Sequence, residues 1–217
     1  MHVVVLAHGD TGGRPWLRAR LAAADLVIAA DGGAQAACDA GRVPDTVVGD
    51  FDSLDPATRA GLESAGSELL QYPRDKDETD LELALSLAVE RGATSIQVLG
   101  AFGGPRLDHA LANVLLLTLP MLAGHAVTLV DPRHEARLLR GPQEIELAGA
   151  PGDVVTLLPL TATATGVDTV GLRYPLRNGT LELGRSRGVS NELRGECGAV
   201  RLADGLLLVV LHRVSHG

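Results

Sequence analysis

Val47-Val48-Gly49-Asp50-Phe51-Asp52-Ser53 is the stretch whose reading decides the fold. A short apolar run with β-branched residues reads as a buried strand, and it stops on two carboxylates one residue apart. Downstream, Asp75-Lys76-Asp77-Glu78-Thr79-Asp80 forms a second acidic cluster, set immediately before an apolar helical pattern. Acidic residues at the ends of neighbouring elements suit a hard divalent cation, and magnesium prefers a few carboxylates with waters and phosphate oxygens. Acidic residues also cap helices and solvate loops, so the surrounding chain must decide between the two.

Working outward, the same alternation recurs on both sides. Val3–Ala7, Leu26–Ala30, Thr46–Gly49, Glu68–Gln71, Ser95–Leu99 and Ala126–Val130 read as strands. Helical patterns fall between them: about Pro15–Ala24, Ala34–Ala40 closed by Gly41, a helix from Pro56, one from Thr79, and one beyond Asp108 expected to reach about Leu122. Thr79 and Glu82 make a capping box, followed by an apolar stripe of Leu81, Ala84, Leu85 and Ala88. Strict alternation implies a parallel sheet with helices on both faces, and such sheets bind ligands outside the carboxyl ends of their strands. Asp31, Asp50, Asp52 and the Gly100–Asp108 loop all follow strands, so carboxylates and glycines converge on one edge.

Beyond about Arg140 the pattern changes to β-type runs: Gln143–Leu147, Asp153–Leu158, Gly171–Leu176, Thr180–Leu183 and Ala199–Leu211. Asn178-Gly179 and Asp204-Gly205 are dipeptides favoured in two-residue hairpins. The expectation is an α/β chain in two parts. Residues 1–137 form a parallel-sheet, Rossmann-like nucleotide domain, and residues 138–217 form an antiparallel β-sandwich or barrel.

The 217 residues suffice for one large or two small domains. A net charge of -8 argues against non-specific nucleic-acid binding, which needs a basic face. No apolar run reaches membrane-spanning length and no signal-type segment opens the chain, so a cytoplasmic protein is expected. Cys38 and Cys197 do not form a metal-type pair and read as small buried or half-buried residues. Lys76 is the only lysine, and it lies inside the second acidic cluster. Phe51 and Phe102 lie within acid- or glycine-rich motifs, where a simple core role is less obvious.

Among the motifs, His8-Gly9-Asp10-Thr11-Gly12-Gly13 is a glycine-rich turn after the first strand, equally suited to a phosphate or to a tight strand-to-helix turn. The Gly100–Asp108 loop adds backbone donors and Arg106, whose guanidinium suits bidentate phosphate recognition. Asp108 is placed to orient that arginine, to accept a proton or to cap the next helix, and His109 reads as structural as readily as catalytic. Ser53 reads as an oxygen donor or helix cap.

Together, Ala30-Asp31-Gly32-Gly33-Ala34, Gly49-Asp50-Phe51-Asp52-Ser53-Leu54, Lys76-Asp77-Glu78-Thr79-Asp80 and Gly103-Gly104 through Asp108-His109 resemble the thiamine pyrophosphokinase family. In the second half, Gly171-Leu172-Arg173-Tyr174-Pro175-Leu176 and Ser190-Asn191-Glu192 are similar to its vitamin-binding segment. The resemblance implies transfer of the pyrophosphoryl group of ATP to the hydroxyethyl oxygen of thiamine, giving thiamine diphosphate and AMP. It also implies a homodimer with sites at the subunit interface. Carried over residue by residue, it places Mg²⁺ on Asp50, Asp52 and Asp80. Asp31, Gly32, Gly33, Lys76, Thr79, Gly103 and Gly104 would bind ATP, Asp77, Arg106 and Asp108 would join the carboxylates in catalysis, and Tyr174, Ser190 and Asn191 would hold thiamine.

Three positions depart from the family pattern. Pro105 separates the glycine pair from Arg106, Gln35 stands where asparagine is usual, and Tyr174 replaces the tryptophan of some members. Rival readings are a pyrophosphokinase for another primary alcohol such as a hydroxymethylpterin, and a non-catalytic thiamine or nucleotide sensor. A phosphatase built on Asp50-Phe51-Asp52 needs a distant lysine, and Lys76 is too near.

Overall fold

A computed structural model of the chain describes residues 1–52 and 54–214. Ser53 therefore lies outside the described residues. The chain divides into two compact units, Met1–Pro132 and Arg133–Gly217.

The first unit is a parallel sheet. Its strands are β1 (His2–Leu6), β2 (Leu26–Ala30), β3 (Thr46–Gly49), β4 (Glu68–Gln71), β5 (Ser95–Leu99) and β6 (Ala126–Val130). Between them lie α1 (Arg14–Ala22), α2 (Gly33–Asp39), α3 (Pro56–Ser64), α4 (Asp80–Glu90) and α5 (Leu107–Leu116). Within this unit the strand order is β6-β5-β1-β2-β3-β4, every pairing parallel. Val3, Val4, Val5 and Leu6 are fully buried, as a strand covered on both faces requires. The chain moves outward from β1 to β4, then crosses to the other side of β1 to lay down β5 and β6. The loops after β1 and β5 thus face each other across a topological switch point.

Helix termini follow local chemistry. Asp55 caps α3, its Oδ1 accepting from the N–H groups of Ala57 at 2.9 Å and Thr58 at 3.0 Å. Thr79 caps α4 by accepting from the Glu82 N–H at 3.2 Å, and Leu81, Ala84, Leu85 and Ala88 are buried as the stripe predicts. The final helix is shorter than expected. It ends at Leu116 because Pro120 cannot continue it, and a short 3₁₀ turn, Pro120–Leu122, follows.

The second unit is a pair of antiparallel sheets. Its strands are β7 (His134–Arg140), β8 (Gln143–Ala148), β9 (Val154–Pro159), β10 (Thr163–Val170), β11 (Gly179–Glu182), β12 (Asn191–Glu192), β13 (Cys197–Leu202) and β14 (Leu206–His212). One layer runs β12-β9-β14-β7 and the other β11-β10-β13-β8. Leu139, Val155, Leu157 and Val209 from the first meet Leu147, Val167, Leu181 and Val200 from the second in one apolar core.

Four details differ from the sequence expectation. Gly171–Leu176 is not a strand, apart from a single bridge from Leu172 to Leu193, because Asn191 captures the Tyr174 backbone from both sides. Asp204-Gly205 joins β13 to β14, which lie in different layers, so it turns a corner rather than closing a hairpin. Asn178-Gly179 is likewise no two-residue hairpin: β11 pairs with β10 across a longer loop. Cys197 is exposed, whereas Cys38 is half-buried and burial pushes its thiol up. Among the described residues no helix is long and apolar enough to cross a membrane.

Candidate active site

The carboxyl ends of β1, β2 and β5, with the loop entering α4, enclose a cleft of about 560 Å³ in the first unit. Two close approaches build it. Gly9 donates its N–H to Gly100 O at 2.8 Å, and a Cβ on Gly9 would stand 2.3 Å from that oxygen, so the β1 and β5 loops meet only through glycine. On the β2 side, a Cβ on Gly32 would fall 1.7 Å from His8 Nδ1. The imidazole occupies that space and lies against the turn that follows Asp31.

Carboxylates gather where β2 and β3 end. Oxygens of Asp31, Asp50 and Asp52 lie within 4.8 Å of one another. An extended Asp-x-Asp would put both side chains on one face but about 6.6 Å apart along the strand. Here β3 has already ended, and Phe51 adopts φ 63°, a left-handed conformation unusual for a bulky residue. The turn lets the Asp52 N–H donate to Asp50 Oδ1 at 3.0 Å. Phe51 is buried against Ala29, Ala34, Val47 and Leu62, and Arg59 stacks over its ring at 5.3 Å, so packing holds the strained turn. The Asp50 carboxyl is held below the usual carboxylate range, chiefly by that backbone hydrogen bond and also by Lys76 and Arg74.

Asp80 is not a member of this trio. It lies in the first turn of α4, faces the cleft, and its Oδ1 is 3.0 Å from Lys76 Nζ. Lys76 also donates to Pro73 O at 3.3 Å. The third carboxylate grouped with Asp50 and Asp52 is therefore Asp31, and Asp80 carries its own counter-ion. Of the trio, Asp31 lines the cleft, while Asp50 and Asp52 stand beside it; three hard oxygen donors at this spacing fit a divalent cation of the magnesium class.

Lys76, Thr79, Gly103, Gly104 and Arg106 line the cleft with Asp31 and Asp80. Gly32 and Gly33 instead shape the turn into α2, and Asp77 and Asp108 do not line the cleft. Pro105 lines the wall, as does Arg106 after it. The Arg106 guanidinium grips both oxygens of Asp108, with Nε donating to Oδ1 at 2.8 Å. That pairing holds the Asp108 carboxyl well below the usual carboxylate range. His8, Arg74, His109 and Asn113 also line the cleft. The strand-end rule that singled out Asp31 and Asp50 applies equally to His8 and Arg74, which follow β1 and β4.

In the second unit, Tyr174 and Asn191 line a smaller hollow of about 250 Å³ with Leu157, Leu176 and Val189. Tyr174 is 60% exposed, and Arg173 stacks on its ring at 5.5 Å. The Asn191 side chain is already committed: Oδ1 accepts from Tyr174 N–H at 3.0 Å and Nδ2 donates to Tyr174 O at 2.7 Å. Its present action is to set Tyr174. Ser190, at φ 60°, is exposed beside it.

Both halves of the chain resemble known proteins. Residues 17–128 match the model of the thiamin pyrophosphokinase catalytic domain, and residues 142–207 match that of the thiamin pyrophosphokinase vitamin B1 binding domain. A thiamine pyrophosphokinase of Bacillus subtilis is 32% identical over 85% of this chain and 86% of its own. Thiamine pyrophosphokinase 3 of Oryza sativa is 27% identical over 80% of this chain and 67% of its own. The crystal structure of the Bacillus subtilis protein superposes with a TM-score of 0.85 at 27% identity, covering 98% of this chain and 99% of that one. The yeast enzyme, at 16% identity and a TM-score of 0.79 over 97% of this chain and 86% of its own, shares the fold. With both family domains present in order and a relative of this identity matched over most of its length, the chain belongs to the thiamin pyrophosphokinase family, enzymes that transfer pyrophosphoryl from ATP to thiamine.

Proposed function

We propose that this chain carries out the family reaction with Mg²⁺, at the switch-point cleft, as a homodimer. The observation that carries the reading is the meeting of an oxygen trio, Asp31, Asp50 and Asp52, with a cleft lined by Lys76, Arg106 and glycine turns. Carboxylates beside fixed cations are what a polyphosphate and its metal require. Asp31, Asp50 and Asp52 would hold the ion, with Asp80 facing the same cleft. When bound, Mg²⁺ neutralises the polyphosphate and makes the phosphorus under attack more electrophilic.

The alcohol oxygen of thiamine forms a bond to the β-phosphorus. The bond from that phosphorus to the oxygen bridging the α-phosphorus breaks, and AMP leaves with that oxygen. Gly103, Gly104, Thr79 and the Asp31-Gly32-Gly33 turn shape the nucleotide side, while Lys76 and Arg106 spread the developing charge. Asp108, tied to Arg106, is a poor proton acceptor at neutral pH and serves instead to aim the guanidinium. Asp77 is exposed and lies outside the cleft lining, so it takes the alcohol proton only if the bound substrate reaches it, with solvent the alternative acceptor. Tyr174 offers its ring to the vitamin, Asn191 fixes Tyr174, and Ser190 borders it.

The homodimer is supported by α5. None of its residues is buried, and Leu107, Leu111 and Leu115 form an apolar stripe at helical spacing, 74%, 59% and 54% exposed. The same helix presents His109, Ala110 and Asn113 to the cleft, so a second copy on the stripe would border the site. A cytoplasmic location accords with the need for ATP and Mg²⁺.

AMP release measured with ATP, thiamine and Mg²⁺ tests the reading. Asp50→Asn and Asp80→Asn should each abolish turnover while leaving the circular dichroism spectrum unchanged. Product formed only with a hydroxymethylpterin would overturn the thiamine assignment, and full turnover in both variants would overturn the carboxylate roles.

A further inference from the structure

The loop between β4 and α4 brings two cations to the cleft, and they are held in opposite ways. The Lys76 side chain is 13% exposed and pinned between Asp80 and Pro73 O. Arg74 lines the same cleft but is 80% exposed. Its ion pair, Nη1 to Asp52 Oδ2 at 3.5 Å, is a single long contact, without the paired hydrogen bonds that make guanidinium–carboxylate contacts strong. Arg106, the other guanidinium on the cleft wall, is engaged by both oxygens of Asp108. Arg74 is therefore the cleft guanidinium with the weakest partner, and it stands beside Asp52, the most exposed carboxylate of the trio.

We propose that Arg74 is a further polyphosphate-binding residue, gripping phosphate oxygens of the nucleotide at the edge of the carboxylate trio. The inference rests on the ATP reading of the cleft. A long, solvent-screened contact to Asp52 costs little to give up, whereas a phosphate accepts the planar fork in two hydrogen bonds.

Binding of ATP in the presence of Mg²⁺, together with KM for ATP and for thiamine, should be measured for the unaltered full chain, Arg74→Ala and Arg74→Lys. Arg74→Ala should weaken ATP binding and raise its KM about tenfold or more, the loss expected for a charge-assisted contact. KM for thiamine and the melting temperature should hold, and Arg74→Lys should recover part of the loss through its charge. Unchanged ATP binding in Arg74→Ala would reduce Arg74 to a counter-ion of Asp52 and overturn the inference while leaving the ATP reading intact. A rise in both KM values with a lowered melting temperature would overturn it too, by showing a structural role. Failure of the unaltered chain to bind ATP would remove both.

Discussion

At the scale of single residues, the site depends on a few unusual backbone and charge states. Phe51 sits at positive φ, which costs a non-glycine residue about 1–2 kcal/mol. Its buried ring and Arg59 offset that cost and bring Asp50 and Asp52 to one side. Asp108 is the informative titrating group. Its folded pKa is depressed, so what its charge contributes is present above the ordinary carboxylate pKa of about 4 and is lost only as pH falls through the lowered value. Between pH 5 and 9 that contribution is constant. Asp108→Asn should therefore lower the kcat/KM profile without changing its shape over that range, which steady-state assays across pH would check. An acid limb near neutrality that vanishes in Asp108→Asn would show it titrating as a base. Because both side chains of the Arg106 pair are well exposed, the melting temperature should shift by less than about 2 °C.

Elements carry the next level of consequence. Helix α4 presents Asp80 to the cleft from a rigid base: Thr79 caps it, and Leu81, Ala84, Leu85 and Ala88 bury its inner face. Leu85→Ala should cost about 2–5 kcal/mol in urea denaturation through the cavity it leaves. Below its melting transition that variant should keep KM for ATP near the unaltered value, because Leu85 touches no part of the cleft. Helix α5 behaves differently. It holds its place by its ends and by one partly buried face, including Asn113, which donates to Ala101 O at 3.0 Å, while its leucine stripe stays open to solvent.

At the scale of the whole molecule, that stripe predicts assembly. Sedimentation of the unaltered chain should give a dimer, and Leu111→Glu should shift it toward monomer by placing a charge within the apolar face. Dimers of undiminished affinity in Leu111→Glu would move the interface away from α5. Six strands of the first unit were legible because each carries a short apolar run between turn signals, continuous in the buried β1 and β2 and reduced to Leu69-Leu70 in the edge strand β4. In the second unit β7, β10 and β12 escaped notice. Arg137 and Glu135 interrupt one, Gly166 and Asp168 another, and β12 is only two residues long.

What the sequence determined by itself was local or ordered. It located the strand ends, the caps at Thr79 and the acidic and glycine motifs, and their succession marked the family. Only the tertiary structure decided which groups meet. Asp31 joined Asp50 and Asp52 because β2 and β3 are neighbours and Phe51 turns back, whereas Asp80 took Lys76, four residues earlier in the loop entering α4. Asn191 came to serve Tyr174, 17 residues distant, because the pairing of β12 with β9 sets it there and the Tyr174 amide needed an acceptor. Contacts of this kind depend on sheet order and backbone geometry, which side-chain spacing along one strand does not encode.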